Sequence, residues 1–386
     1  MVPQFSRRRF LALAAGAGAG LALGSVIPRR VLAAAKTIPD GVIVRNDWPE
    51  HWESTVEALG RSRLTANATF FVRSHFPVPE VDPTTWALEV AGDCFRPLRF
   101  TLPELMARGH VTRAVTLECA GNGRGRFALA NTSGTQWGLG AVGTADWTGV
   151  RLGDLLREAS PTEGAAHVWF ECDDQAPMPD VPKFMRSIPL AKALDDVLLA
   201  WGMNGKPLPM MHGAPLRAIV PAWFGMASTK WVRRIRIARA PSDNHFMVKG
   251  YRYTYPGEDP AKAPPVETMR VKSLITSPLK DASIKPGALT VRGFAWSETG
   301  IRNVDLTLDR GRTWRAAVLT GTEHTEHTEQ NGAWRSFEAV LPIAAGTHTI
   351  AARATDASGA VQPRQARVNA GGYGNNSWHE VTFHAR

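Results

Sequence analysis

The sequence predicts an α+β domain followed by an all-β sandwich, joined by a proline-rich stretch and preceded by an export leader. Three observations carry this prediction. Residues 84–170 mix apolar runs of strand length with short amphipathic segments of helical period. Residues 241–265 gather prolines (Pro241, Pro256, Pro260, Pro264, Pro265) among polar residues, as linkers do. From residue 266 to the end, short alternating runs are broken by turn residues every ten or so positions, the pattern of a β-sandwich. A length of 386 residues accommodates two or three domains, and 44% hydrophobic content supplies ample core.

The leader comes first. Ser6-Arg7-Arg8-Arg9-Phe10-Leu11 is a twin-arginine pattern, Ala12 to Val26 is a weakly hydrophobic Ala/Gly run, and Ala33-Ala34-Ala35 supplies small residues for cleavage before Lys36. The run is too short and too rich in glycine for a membrane anchor, and no other segment has about 18 consecutive apolar residues. Residues 1–35 are therefore expected to be removed on export to the periplasm, with no membrane span afterwards. The leader holds five arginines and no acid, so the total charge of +10 leaves +5 on the remainder. That mild excess suits an anionic substrate or an acidic partner better than nucleic acid. Three scattered cysteines, Cys94, Cys119 and Cys172, give no disulfide framework, zinc pattern or haem attachment.

Residues 36–82 read as irregular. Within them Phe70-Phe71-Val72-Arg73-Ser74-His75-Phe76-Pro77-Val78-Pro79 runs from apolar residues into a proline-stiffened exit. If extended, this segment points Arg73 and His75 the same way, toward one anion. Trp86–Val90 alternates as a strand, and Leu102–Ala107 follows Thr101, an N-cap residue. Ala114, Val115 and Leu117 form a buried strand that ends at Cys119, and the loop Gly121-Asn122-Gly123-Arg124-Gly125-Arg126 follows. The glycines permit a sharp turn, and Arg124 and Arg126 should lower the pKa of a nearby thiol. By composition alone such a cysteine is a nucleophile, a metal ligand or a core thiol. Trp137 and Trp147 read as core packing, and Leu152–Ala159 as a short amphipathic helix.

His167 to Cys172 is a strand running into Asp173 and Asp174, a pair at a turn; Cys172 and Cys94 read as structural thiols. Asn204-Gly205, after Leu198-Leu199-Ala200-Trp201-Gly202-Met203, is a strong hairpin signal. His212 and Arg217 flank a Gly-Pro turn, and Ser228-Thr229-Lys230 follows Gly225. Such groups suit phosphate: arginine as a fork, lysine as a point charge. Arg233, Arg234 and Arg236 alternate and face solvent. Leu289–Trp296, Val304–Asp309 and His348–Ala354 are the clearest sandwich strands, and Asp309-Arg310-Gly311-Arg312-Thr313-Trp314 is a hairpin turn. His324 and His327, among glutamates, lack strand or helix flanks and read as a solvated loop rather than a metal site.

Cys119-Ala120-Gly121-Asn122, followed by Arg124, resembles the signature around the molybdenum-ligating cysteine of the sulfite oxidase family. Further likenesses follow in the same order: the segments around Arg73 and His75, around Trp201, at His212–Arg217 and at Ser228–Trp231, and then the hairpin of the C-terminal part. The resemblance implies a molybdopterin-binding α+β domain over residues 36–240, a linker over 241–265, and an immunoglobulin-like dimerisation domain over 266–386. It implies a molybdenum–molybdopterin cofactor with Cys119 as the protein ligand. Arg73, Ser74, His75, Asp174, His212, Arg217, Ser228, Thr229 and Lys230 would hold the pterin and its phosphate, while Arg73, Arg124 and Trp137 would form the sulfite pocket. Two departures stand out. Ser74 replaces an asparagine, and Trp201 stands where the family has a tyrosine that donates a hydrogen bond at the metal. Indole donates one hydrogen bond but cannot ionise as a phenol can.

The function so implied is oxidation of sulfite to sulfate. With no haem motif in the chain, the electrons would pass to a separate c-type cytochrome. Two alternatives use the same scaffold: a reductase of sulfoxides, whose relatives usually lack a C-terminal sandwich, and a non-catalytic exported binding protein, with Trp201 as the mark of lost activity.

Overall fold

The structure, a computed structural model, describes residues 37–127, 132–176, 178, 180–320 and 332–386. The leader and the His324/His327 pair lie outside the described residues. Two five-stranded sheets form the first part of the chain. In one, the order is Lys206–Pro207, Leu198–Met203, Val142–Arg151 and Val111–Glu118, with Arg217–Ile219 also paired to Leu198–Met203. In the other, the order is Leu98–Thr101, Ala87–Gly92, Val232–Ala238, His167–Cys172 and Met185–Pro189. A small sheet of Val42–Asn46, His51–Ser54 and Val72–Arg73 lies alongside.

Local chemistry sets these elements. Leu102–Ala107 opens on a capping box, in which the Glu104 carboxylate accepts from the Thr101 amide at 2.7 Å and Thr101 Oγ1 accepts from the Glu104 amide. Leu152–Ala159 buries Leu152, Leu155, Leu156 and Ala159, one stripe at helical spacing. Asn204 and Gly205 adopt φ of 53° and 69°, closing a two-residue hairpin between Met203 and Lys206. The outward charges Arg233, Arg234 and Arg236 alternate with buried Val232 and Ile235.

The C-terminal part is a sandwich. Lys272–Ser277, Gly287–Trp296 and Arg335–Ile343 form one face, while Ile301–Thr307, Gly346–Asp356 and His379–Ala385 form the other. Arg315–Thr320 pairs with both Ile301–Thr307 and Arg335–Ile343. Val291, Phe337 and Leu341 meet Val304, Ile350 and Phe383 in its core. The turn after Ile301–Thr307 is tied by Asp309, which accepts from the Thr313 amide at 2.9 Å and the Thr313 hydroxyl at 2.6 Å. These bonds hold its carboxyl down at about 2.

Residues 241–265, expected as a linker, are packed rather than extended. They carry the short helix His245–Val248, and Phe246, Tyr251 and Tyr253 join a core cluster with Ala120 and Phe224 from the first part and Phe294, Trp296 and Trp334 from the sandwich. This cluster lies directly behind the cysteine loop. Among the described residues, no helix is long and apolar enough to cross a membrane.

Candidate active site

The strand Val111–Glu118 pairs along its whole length with Val142–Arg151 and delivers Cys119 just past its end. The loop that follows is locked by short-range bonds. The Cys119 amide donates to the Ala141 carbonyl and the Asn122 amide to the Cys119 carbonyl, each at 2.8 Å. The Asn122 side chain donates to Glu118 and accepts from the Ala141 amide. Gly123, at φ +87°, is the left-handed residue that lets the chain double back into the turn Arg124–Arg126.

Cys119 sits where two cavities meet. Both are open to solvent, with about 50 Å³ of water-accessible space in the smaller and about 240 Å³ in the larger, and both are lined by Arg73, Ser74, His75, Cys119 and Tyr251. The structure brings every expected site residue to one of them. Arg73, Ser74, His75, Asp174, His212, Arg217, Ser228, Thr229 and Lys230 line the smaller cavity, while Arg124 and Trp137 line the larger. The extended run at Val72–Arg73, paired to His51–Ser54, does place Arg73 and His75 on the same side.

The smaller cavity is a basic hole. Lys230 Nζ donates to the Ser74 hydroxyl at 2.7 Å and the Met211 carbonyl at 3.0 Å. Arg217 donates to the carbonyls of Ser228 at 3.2 Å and His212 at 3.0 Å, and its guanidinium lies over the Trp147 ring. Trp147 is therefore core packing with one further task, since its own indole N–H donates to the Val115 carbonyl. Burial pulls Arg217 down to about 9 and Lys230 well below its ordinary value. The His212 ring donates to the Asn67 carbonyl at 3.0 Å, and burial holds it at about 3, so the ring is neutral. Asp174 is pushed up to about 6 by burial, against the pull of Lys230. Ser228 Oγ accepts from the Val220 amide at 2.9 Å and keeps its hydroxyl hydrogen and a second lone pair for other partners.

In the larger cavity Arg124 is buried and held by two carbonyls, Gly371 to Nε at 2.8 Å and Thr135 to Nη1 at 3.0 Å. Trp137, 1% exposed, forms the wall beside His51. His51 hydrogen-bonds Thr135 and the Ser74 carbonyl, and burial together with Arg73 holds it at about 3.

Two expectations fail here. The arginines after Cys119 were expected to depress its thiol pKa. Burial instead pushes the thiol up, Arg73 and Arg124 only partly offset it, and Arg126 lines neither cavity. Trp201, placed by resemblance at the metal, packs against the first domain's core and lines neither cavity. The tyrosine of this site is Tyr251. Its hydroxyl and His75 Nε2 share a hydrogen bond of 2.8 Å, and burial pushes its phenol up to about 12. His75 stacks on Phe184 at 3.9 Å and is held well below 6.5 by burial and then by Arg73. Sequence reasoning missed Tyr251 because it lies in the stretch read as linker. The available signal was the scarcity of tyrosine, with three of the four at Tyr251, Tyr253 and Tyr255. Cys94 and Cys172 lie outside both cavities.

A family model described as an oxidoreductase molybdopterin binding domain matches residues 75–246, and one described as a Mo-co oxidoreductase dimerisation domain matches residues 263–386. The sulfite oxidase of Gallus gallus is 37% identical over 88% of this chain and 77% of its own length. The chain belongs to the sulfite oxidase family. The mitochondrial sulfite oxidase of Homo sapiens is 36% identical over 88% of this chain and 65% of its own length. Among solved structures, the sulfane dehydrogenase SoxCD of Paracoccus pantotrophus superposes with a TM-score of 0.78 at 26% identity, covering 94% of this chain and 95% of that one. The chain is accordingly a molybdoenzyme oxidoreductase whose cofactor is molybdenum–molybdopterin.

The residues present fit that cofactor. Arg73 Nη1 and Asp174 Oδ1 are buried, line the smaller cavity, and have no hydrogen-bond partner among the described residues, which is costly unless a ligand satisfies them. Arg73, Arg217 and Lys230 make no salt bridge among the described residues, so the hole is electrostatically complementary to a phosphate. Cys119, a soft sulfur donor at the end of that hole, is the side chain suited to molybdenum.

Proposed function

We propose that this chain is an exported sulfite dehydrogenase that oxidises sulfite to sulfate in the periplasm, passes the electrons to a separate c-type cytochrome, and works as a homodimer through its C-terminal domain. The observation that carries the reading is the position of Cys119 at the junction of a basic hole with a second cavity bearing Arg73, Arg124 and Trp137. In this reading Cys119 binds molybdenum, and Arg73, Ser74, His75, Asp174, His212, Arg217, Ser228, Thr229 and Lys230 hold the pterin. The twin-arginine leader supports export, and its route suits a protein that folds around its cofactor first.

When bound, the cofactor supplies oxygen-atom transfer coupled to a two-electron change. The chain's own residues do the rest. Arg73 and Arg124 bind the substrate dianion in a cleft walled by low-dielectric protein, where their charge counts for more than at a surface. Trp137 forms the wall that limits how the anion can sit. Tyr251, protonated across the neutral range, offers one O–H. His75, neutral and stacked on Phe184, fixes the direction of that hydroxyl.

Cys119→Ala tests the reading. The variant should purify with molybdenum near zero and lose sulfite-dependent cytochrome c reduction. Wild-type turnover in it would reject the metal assignment. The likeness to a sulfane dehydrogenase favours a second reading, in which the larger cavity takes a sulfane sulfur. Thiosulfate-dependent cytochrome reduction exceeding the sulfite-dependent rate would select it, and sulfoxide-dependent dye oxidation exceeding both would select a reductase.

A further inference from the structure

The larger cavity has one wall that the molybdopterin-binding part of the chain does not supply. Tyr373, from the C-terminal domain, lines it beside Tyr251 and Arg124. The Tyr373 ring has Arg124 on one side, the guanidinium carbon 5.1 Å from its centroid, and Tyr251 stacked against it at 5.3 Å and 26°. Its backbone is clamped: the Tyr373 amide donates to Asn369 Oδ1 at 3.0 Å and Asn369 Nδ2 donates to the Tyr373 carbonyl at 2.8 Å. The same loop is tied to the cysteine loop by Gly374 N–H to the Ala120 carbonyl and by Asn375 Nδ2 to the Gly123 carbonyl, each at 2.8 Å. It also supplies the Gly371 carbonyl that accepts from Arg124 Nε.

From this we propose that Tyr373 is a positioning residue: its ring aims Arg124 at the substrate anion, so the C-terminal domain sets the anion affinity of the larger cavity. The inference rests on reading that cavity as an anion site. The physical reason for a ring here is charge. A carboxylate could orient Arg124 equally well but would neutralise it and repel a dianion. An aromatic face and two carbonyls orient the guanidinium and leave its full charge for the ligand. Nε and Nη1 are used by those carbonyls, and Nη2 has no acceptor among the described residues. Gly371 completes the device: a Cβ there would fall inside the Tyr373 ring and force it aside.

Two measurements on the holoenzyme test this: sulfate affinity by titration calorimetry and steady-state sulfite kinetics. Tyr373→Ala should weaken sulfate binding and raise the sulfite KM about 10-fold, within the range a desolvated cation–π contact carries, with a smaller change in kcat. Gly371→Ala, which keeps the ring but displaces it, should give a loss of similar size, and the double variant should be no weaker than either single one. Tyr373→Phe should restore affinity to within about threefold of wild type. If Tyr373→Ala loses molybdenum or does not fold, Tyr373→Leu and Gly371→Ala carry the test. Sulfate affinity and KM within about twofold of wild type in the folded Tyr373 and Gly371 variants would overturn the proposal, as would a fall in kcat with affinity retained. If the enzyme turns over another substrate, the sulfate titration still decides the role of Tyr373, whereas a wild-type enzyme that binds no sulfate would overturn the anion site itself.

Discussion

Replacing Lys272 by methionine should loosen the cysteine loop from a distance. Lys272 begins the first strand of the sandwich, and its Nζ donates to Glu118 Oε1 at 2.7 Å, across the domain junction. Both side chains are nearly inaccessible, 4% and 3% exposed. Glu118 also accepts from Asn122 Nδ2 and from the Trp296 indole, each at 2.9 Å, so its carboxylate has three donors and one full countercharge. Removing Lys272 leaves that carboxylate buried with only two neutral donors, a loss of about 3–5 kcal/mol for a broken buried pair. At about 2–4 °C per kcal/mol for a domain of roughly 200 residues, the melting temperature should fall by roughly 6–20 °C. Differential scanning calorimetry and urea unfolding would measure this. The double variant Glu118→Gln/Lys272→Met removes both charges and should recover at least about 2 kcal/mol relative to Lys272→Met alone. A Lys272→Met variant within about 1 kcal/mol of wild type, or a double variant whose loss is the sum of the singles, would refute the reasoning that this pair fastens the loop to the sandwich.

Two more outcomes are expected. Tyr251→Phe, which deletes the hydroxyl facing His75, should lower turnover about 10- to 100-fold with molybdenum content unchanged; turnover within twofold of wild type would remove Tyr251 from the chemistry. His51, His212 and His379 are each held at about 3 by burial, below the 6.5 of the unfolded chain. The stability they contribute is therefore present at neutral pH and is lost as pH falls from about 6.5 toward 3. His379→Asn keeps an acceptor for the Ile275 amide while removing one such proton, so its urea midpoint should fall less steeply between pH 6.5 and 4.5 than that of wild type; equal slopes would refute this.

What was legible in the sequence depended on how local the determinant is. The capping box at Thr101, the stripe of Leu152–Ala159 and the Asn204-Gly205 turn are each decided within a few residues, and the chain adopts them as read. The basic residues of the site were legible through resemblance, because each lies in a short local segment at a glycine or proline turn that is similar to the family's; residue type alone suits phosphate without requiring it. Tyr251 was not, because nothing within ten residues of it distinguishes a packed segment from a spacer. Its burial depends also on Phe184 and Tyr373, which lie on distant segments of the chain. Trp201 misled for the complementary reason. Its neighbours Leu198 to Met203 and Asn204-Gly205 resemble the family's, but Trp201 sits at a register shift in its strand, partly buried against the edge of the core and away from both cavities. Reading Cys119 as a depressed thiol failed because two nearby arginines were weighed without the desolvation that the surrounding side chains impose.

The two kinds of buried cation in this molecule make the strongest argument about what the cavities are for. Lys272 lies in the junction core, outside both cavities, and folding provides it with a carboxylate. Arg124 and Arg217 are buried and Arg73 and Lys230 partly so, yet among the described residues none of the four forms a salt bridge: Arg124, Arg217 and Lys230 meet hydroxyls, backbone carbonyls and aromatic faces, and Asp174, in the smaller cavity, attracts Lys230 and Arg73 without pairing with either. Since the chain can bury a directly paired carboxylate where it needs one, the lack of a salt bridge at four neighbouring positions is not a failure of packing. Neutral acceptors orient these groups without cancelling them, and the uncompensated charge disfavours the empty fold. Anions that bind only the folded chain repay that cost through mass action, which couples the stability of the site to its cofactor and its substrate. The two cavities share Arg73, so the field that would hold a pterin phosphate and the field that would hold an incoming oxyanion are parts of one charge distribution, with Cys119 at its centre.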